Sequence, residues 1–515
     1  MTNKISLLFA HDFTDRDAER FYLISEDSTA EVSAEAVVAE ERELICHDYW
    51  LIAPAIYKKT KRLPRIVTDV EELRISTSGN REDRENRDRK DVGSELLARE
   101  YITEEIIGRY RNILFKNAAF DIEVFSSVGR ALLRLSDDVE AQAKAANEWE
   151  RYSTLERPIA DYLLRSVAKG IAINTEMLRE HKQNIEHAYY MALKEFSAEY
   201  KLPLEVPSDD EVIDYLAPRG FEFSGVGIEY VLNFVPMPDG FSEKLLELKK
   251  IAASMMVLNA IPLSQKRIFP IVDAFGSVTS RIYYKDPSLQ NLSKRHRNII
   301  SPDEGMALSY VDFGQFEAGI MGALSQDKHM LELFSSGDLY ALAAEKIFAD
   351  TDRRKAAKRL FLSYAYGMKR KSLIDAAVGF GAEREAAKNF FNQFSRFEQW
   401  KSEIWSKFQT NGRVGTAFGN YLSRASSAEL TEKEKRSAVS QVVQGTASLI
   451  FKKALLKLSL VSDIELKVPM HDAVLFQHPH TFNPQEVADL FADVVTEYFG
   501  GEIKGKASVT EFFNA

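Results

Sequence analysis

Apolar residues fall in short dense runs at the start of the chain and in helical spacing further on, and the change of period marks an organisation. Near the N-terminus "ISLLFA", "RFYLIS" and "ELICHDYWLI" suit buried strands and the helices between them, so residues 1–150 are expected to form one α/β domain. Within it, "RISTSGNREDRENRDRKDVGS" mixes both signs of charge with almost no apolar residue, which predicts a solvated excursion. From "STLERPIADYLLRSVAKG" the period turns helical, with Ile159, Leu163, Leu164 and Val167 on one face. Two further helices are predicted over 175–200 and 241–260, separated by the Pro- and Gly-punctuated stretch 202–240. The last third alternates: a strand ending in "MALSYVDF", helices through about 320–410, a long helix at "EKEKRSAVSQVVQGTASLIFKKALLKL", and a hairpin around "VPMHDAVLF". There is no internal repeat.

Composition adds boundaries. With 515 residues, 45% hydrophobic and 28% charged, the chain is an ordinary globular protein of several domains. The single cysteine, Cys46, excludes an internal disulfide and a cysteine-rich zinc site, and fits a reducing, cytoplasmic setting. The apolar run in "MTNKISLLFAHDF" is too short for a signal peptide, and no stretch reaches the length of a spanning helix, so no membrane association is expected. A net charge of −10 argues against a general polyanion binder, although the placement of charge outweighs its sum.

That placement is uneven. Asp312 follows a strand-like run and precedes a helix-like one, where it could cap the helix or carry chemistry. Asp472 sits at the hairpin tip, where His471-Asp472 could be an ordinary turn. Two carboxylates at strand ends could instead converge on one sheet edge and hold two divalent cations about 3.5–4 Å apart. Between them, residues 353–371 hold eight Lys or Arg and no Asp or Glu, whereas a solvated helix normally interleaves acids. Arg354, Lys358, Leu362 and Tyr366 recur every four residues, so two cations, an apolar contact and an aromatic ring share one side of the helix. A triphosphate and a stacked base would both be served.

The stretches "SYVDFGQFEAGIMGALSQD", "RKAAKRLFLSYAYG" and "MHDAVLF", in that order, resemble the signature motifs of the family A (bacterial polymerase I-like) DNA polymerases. "TSRIYYKDPSLQNLSKR", "GRVGTAFGNYL" and "RSAVSQVVQGTASLI" support the likeness, which covers roughly 155–515. It implies a mixed α/β right-hand polymerase fold with a thumb at about 155–262, a palm at about 263–325 and 440–515, and fingers at about 326–439. It further implies two Mg²⁺ ions, with Mn²⁺ as a substitute, on Asp312, Asp472 and the Phe313 carbonyl, and catalytic roles for Asp312, Asp472 and Lys358. Arg354, Lys358, Leu362, Tyr366, Gln315, Glu317 and His471 would surround the incoming dNTP, with Glu317 blocking a ribose 2′-hydroxyl. Arg281, Gln290, Asn291, Tyr366, Gly367, Arg436, Gln444 and His471 would contact primer-template DNA, and a processivity factor or other replication protein is a further expected partner.

Several positions depart from the family pattern. Ala473 replaces a third carboxylate, Leu362 an aromatic ring, Ser440 an asparagine and Gly314 a serine. The resemblance also implies a ribonuclease H-like, 3′-5′ exonuclease-type domain over 1–150, but one retaining only Asp12 and Asp121 of four metal-binding acids, with Asn117 in place of a tyrosine. Proofreading is therefore not expected. Rival readings are a polymerase with a residual 3′-5′ exonuclease, a single-subunit RNA polymerase, a nuclease built on Asp12 and Asp121, and a non-catalytic DNA-binding protein.

Overall fold

The computed structural model describes residues 3–513 apart from 11–18, 86, 88–90, 117, 222–227, 236 and 238. The N-terminal part is built on a five-stranded sheet of order β3-β2-β1-β4-β5, comprising β1 (Lys4–Ala10), β2 (Arg20–Ile24), β3 (Thr29–Val32), β4 (Glu43–Cys46) and β5 (Val67–Asp69). The first three strands are antiparallel, and β4 and β5 run parallel to β1. Helix α1 (Ile122–Ala145) lays a buried stripe from Val124 to Ala143 over this sheet.

The described residues of the charged excursion are partly helical and partly buried rather than solvated throughout. It contains helical segments Arg81–Glu85 and Val92–Ala98, and Arg84 is only 6% exposed. Local composition predicted solvent because the partners lie far along the chain: Arg84 donates to the Val278 carbonyl at 2.6 Å and Arg87 to Asp273 at 2.7 Å.

Helices α2 (Thr175–Tyr200) and α3 (Phe241–Asn259) pack on each other where helical spacing predicted them. Beyond them lies the four-stranded antiparallel sheet that positions the site. Its first strand, β6 (Met306–Phe313), leads into α4 (Phe316–Ser325), which is followed by α5 (Leu339–Phe348) and α6 (Arg354–Ala365). The 27-residue α7 (Glu432–Leu458) starts with a Thr431/Glu434 capping box and runs through the core, burying both its apolar faces and Lys452. Strands β7 (Glu465–Pro469), β8 (Ala473–Pro479) and β9 (Ala507–Thr510) complete the sheet in the order β7-β8-β6-β9. One continuous apolar core reaches from Ile159 to Phe512. No helix among the described residues is long and apolar enough to cross a membrane.

Candidate active site

Pairing of β6 with β8 brings the two aspartates together. Asp312 faces Ala473 in the register, and the Phe313 amide donates to the Asp472 carbonyl at 3.1 Å. The hairpin tip is tied by Met470 N–H to the Ala473 carbonyl at 2.7 Å, so Asp472 projects from a braced turn. Ala473 itself is fully buried in the sheet directly opposite Asp312, so a methyl group stands on the same face where the third carboxylate would lie. Gly314 also has a local cause: a Cβ would approach the Lys506 Cβ to 3.0 Å, beside the bond from Gly314 N–H to the Lys506 carbonyl. A serine there would press on the chain leading into β9.

The electrostatics of the pair suit a cation. Asp312 Oδ1 is buried with no hydrogen-bond partner, which costs free energy unless something positive faces it. Burial first, and then the Asp472 charge, push the Asp312 carboxyl up to about 7, against the opposing pull of Lys358, Lys294 and Arg297. An orphaned acidic oxygen beside a second carboxylate fits a divalent ion. The raised value carries a prediction: below pH 7 a proton competes with the metal, so the magnesium needed for half-maximal occupancy rises about tenfold per pH unit, while above pH 7 it is flat. Calorimetric Mg²⁺ titrations at several pH values check this.

Helix α6 supplies the cations. Ala357, Leu360, Phe361, Tyr364 and Ala365 bury one face, leaving Arg354 and Lys358 exposed on the other, with Leu362 half-buried against the core. The helix ends at Tyr366, after which Gly367 takes φ +93°, a left-handed turn that glycine accommodates without strain. Arg354 is held by Asp338 at 2.7 Å, whereas Lys358 forms no ion pair within 4 Å among the described residues. Both cations lie over the Tyr340 ring, at 5.5 and 5.4 Å from its centroid. Asp338 and Tyr340 were not found by sequence reasoning, and the missed signal was an aspartate at the N-cap of α5 facing a basic helix. Asp338→Asn should keep that cap, which accepts from Tyr340 and Ala341 N–H, yet release Arg354; if Arg354 holds a nucleotide phosphate, as the family resemblance implies, the Kd for a dNTP should fall by roughly fivefold at most for so exposed a pair, as a binding titration would show.

Glu317 joins the two sides of the cleft. One carboxylate oxygen accepts from Arg281 at 2.8 Å and the other from the Tyr366 hydroxyl at 2.5 Å. Tyr366, Arg436 and Gln444 line one cleft of about 610 Å³ with Ser440 and the 276–279 loop. His471 stands edge-on to Tyr283 at 6.1 Å between ring centroids, on the same side.

Three expected contacts are placed otherwise. Gln290 is buried, with its amide accepting from Tyr284 N–H and donating to the Ile282 and Pro469 carbonyls, so it braces the hairpin rather than facing DNA; Asn291 beside it is exposed. Gln315 gives its side chain to the Gly337 carbonyl and the Leu339 amide, satisfying a free donor at the start of α5 instead of reaching a nucleotide. Asp121 caps α1, accepting from Glu123 and Val124 N–H, and pairs with Arg109, so that carboxylate is already occupied. Asp12 and Asn117 lie outside the described residues.

Residues 240–504, more than half of the chain, match the pattern that defines DNA polymerase family A, and the chain belongs to that family. DNA polymerase I of Aquifex aeolicus (strain VF5) is 26% identical over 330 residues, covering 57% of this chain and 54% of that protein. The thermostable DNA polymerase I of Thermus caldophilus is 24% identical over 383 residues, or 68% of this chain and 46% of its own length. This chain thus spans about half the length of those relatives. Among solved structures, the POL domain of Pol1 from M. smegmatis, in complex with DNA primer-template and dNTP, shares the fold with a TM-score of 0.74 at 18% identity, over 98% of this chain and 94% of that one. That match takes in the N-terminal sheet as well.

Proposed function

We propose that the protein is a template-directed DNA polymerase that adds dNTPs to a primer 3′-hydroxyl by two-metal phosphoryl transfer, without proofreading. The observation carrying this reading is the orphaned Asp312 oxygen beside Asp472 in the electrostatic reach of Lys358. Asp312, Asp472 and the Phe313 carbonyl would hold two Mg²⁺ ions, or Mn²⁺, which when bound lower the pKa of the attacking hydroxyl and neutralise the departing pyrophosphate.

The chain's own residues do the rest. Arg354 and Lys358 bind the phosphates, and Lys358 delivers a proton to the leaving pyrophosphate. Glu317 fills the space under the sugar where a 2′-hydroxyl would lie, while Tyr366 and Gly367 form the pivot at which a template base stacks. Leu362 offers the sugar an aliphatic surface instead of a ring. Arg281 and Gln444 read the minor-groove acceptors that all base pairs share, so they sense shape rather than sequence. Arg436, Asn291 and His471 complete the grip on the primer-template, to which a processivity factor could add. The same reading places the protein in the cytoplasm of a bacterial or phage-infected cell.

Primer extension with Mg²⁺, comparing dNTPs with NTPs and matched with mismatched primers, tests the whole reading. Extension with dNTPs and no excision of the mismatch is expected. NTP incorporation at equal rate would favour an RNA polymerase, DNA binding without extension a non-catalytic role, and excision a working nuclease. The last outcome has a candidate seat, since ligand atoms of His47, Asp48 and Glu71 lie within 4.8 Å of one another.

A further inference from the structure

Arg281 lies at the end of a tight loop, and what holds that loop comes largely from outside the catalytic sheet. Ser280, immediately before it, is fully buried with φ +66°, an unfavourable backbone state for serine that its surroundings must enforce. Its hydroxyl donates to Glu156 at 2.9 Å and accepts from Lys452, while its carbonyl accepts from Ser448. Lys452 and Glu156 also pair with each other, 0% and 3% exposed, and Glu156 accepts in addition from Arg151. Three residues, Glu156, Lys452 and Ser448, therefore bond to the residue that aims Arg281, and Arg151 braces them through Glu156.

The N-terminal part reaches the same loop. Arg84 donates to the Val278 carbonyl at 2.6 Å and to Asn420 at 3.1 Å, and Arg87 donates to Asp273 at 2.7 Å. Arg151 hands Ser76 a hydrogen bond and pairs with Glu148, whose carboxylate accepts from Asn420 and Tyr421 N–H at 3.0 and 2.9 Å. Phe275 lies under three cations, with Arg84, Lys452 and Arg151 at 4.7, 5.2 and 5.5 Å from its ring. At the far end Gly276 N–H closes the loop on the Arg281 carbonyl at 2.8 Å, and the Arg281 side chain meets Glu317. A buried ionic network is a poor source of net stability but a good means of enforcing one geometry, because each misplacement strands a desolvated charge.

We propose that Arg84, Arg151, Glu156 and Lys452 are positioning residues that fix the 276–281 loop and so aim Arg281 at Glu317 and the primer terminus. The N-terminal part, without proofreading, then serves as a strut of the primer site. This rests on the polymerase reading above for its catalytic consequence, but the ordering of the loop stands apart from it.

The test uses the full chain with Arg84→Met, Arg84→Lys and Ser280→Gly, the last chosen because glycine accepts the φ of Ser280 and leaves the Lys452–Glu156 pair intact. Two readouts are taken: amide exchange of residues 276–281, and single-turnover extension alone and combined with Arg281→Ala. The expected result is faster loop exchange and about tenfold slower extension in Arg84→Met and Ser280→Gly, recovery toward wild type in Arg84→Lys, and no further loss when either is added to Arg281→Ala. Unchanged exchange, or losses that add fully to that of Arg281→Ala, would overturn the proposal. If Arg84→Met does not fold, Ser280→Gly decides; if the wild type extends no primer, the polymerase reading fails and exchange alone decides the strut.

Discussion

Asp472→Asn should lower magnesium-dependent primer extension by about 10³-fold, and Asp312→Asn should do the same while making the metal-free protein more stable. The kinetic loss follows from the pairing of β6 and β8, which leaves these two side chains as the acids at the paired strand ends, with Ala473 buried between them. The stability gain follows from the raised Asp312 carboxyl at about 7, which means that the folded state resists its ionisation. The sign is that of a carboxylate with folded pKa above its unfolded one near 3.8: ionisation costs stability as pH rises through that window, fully so above pH 7 and not at all below about 4. Asparagine removes that cost, worth about 2 kcal/mol above pH 7 once solvent screening in the open cleft is allowed for. Thermal melts in EDTA should show the Asp312→Asn variant ahead at pH 8 and level with wild type near pH 4. Added Mg²⁺ should reverse the order by binding the wild type preferentially. Equal melts at pH 8 would mean that neither burial nor the Asp472 charge penalises the ionised Asp312 carboxylate.

The second large effect is expected at Lys358. Lys358→Ala should reduce kcat by about 10² to 10³ while raising the dNTP KM far less, because a charge that meets the departing pyrophosphate acts mainly in the transition state. Arg354→Ala should divide the other way, since on the proposed reading Arg354 would exchange its bond to Asp338 for the phosphate already in the ground state. Lys358 is exposed and lies over the Tyr340 ring without an ion pair among the described residues, so the fold should lose at most about 1 kcal/mol. Burst kinetics on one primer-template separate the two constants. A Lys358→Ala protein with unchanged kcat would remove this residue from the chemistry.

Much of this architecture was legible because it is local. The strand ending at Phe313, the helix that starts at Arg354, the long helix from Glu432 and the hairpin around Asp472 all follow from periodicity and turn residues within a few positions. What escaped was set by distant partners. Glu156 meets Lys452 across 296 positions, and neither looks unusual in "TLERPIADYLL" or "LIFKKALL" except as a charge set among apolar residues. The segment around Arg84 read as solvated for the same reason, since its acceptors at Val278 and Asn420 lie 194 and 336 positions away. Motif likeness also overreached where backbone needs came first: Gln315 and Asp121 both satisfy amides at helix starts, and Gln290 is used up on the hairpin.

The pairing of β6 with β8 has a bearing on biosynthesis. Asp312 leaves the ribosome well before Ala473, its neighbour in the sheet, and at 5–20 residues per second that interval lasts roughly 10–30 s. Through it the apolar strand ending at Phe313 has neither of its lateral partners, β8 or β9, while the N-terminal sheet is already fully synthesised. A nascent chain paused in this window should be the form most prone to chaperone capture and aggregation.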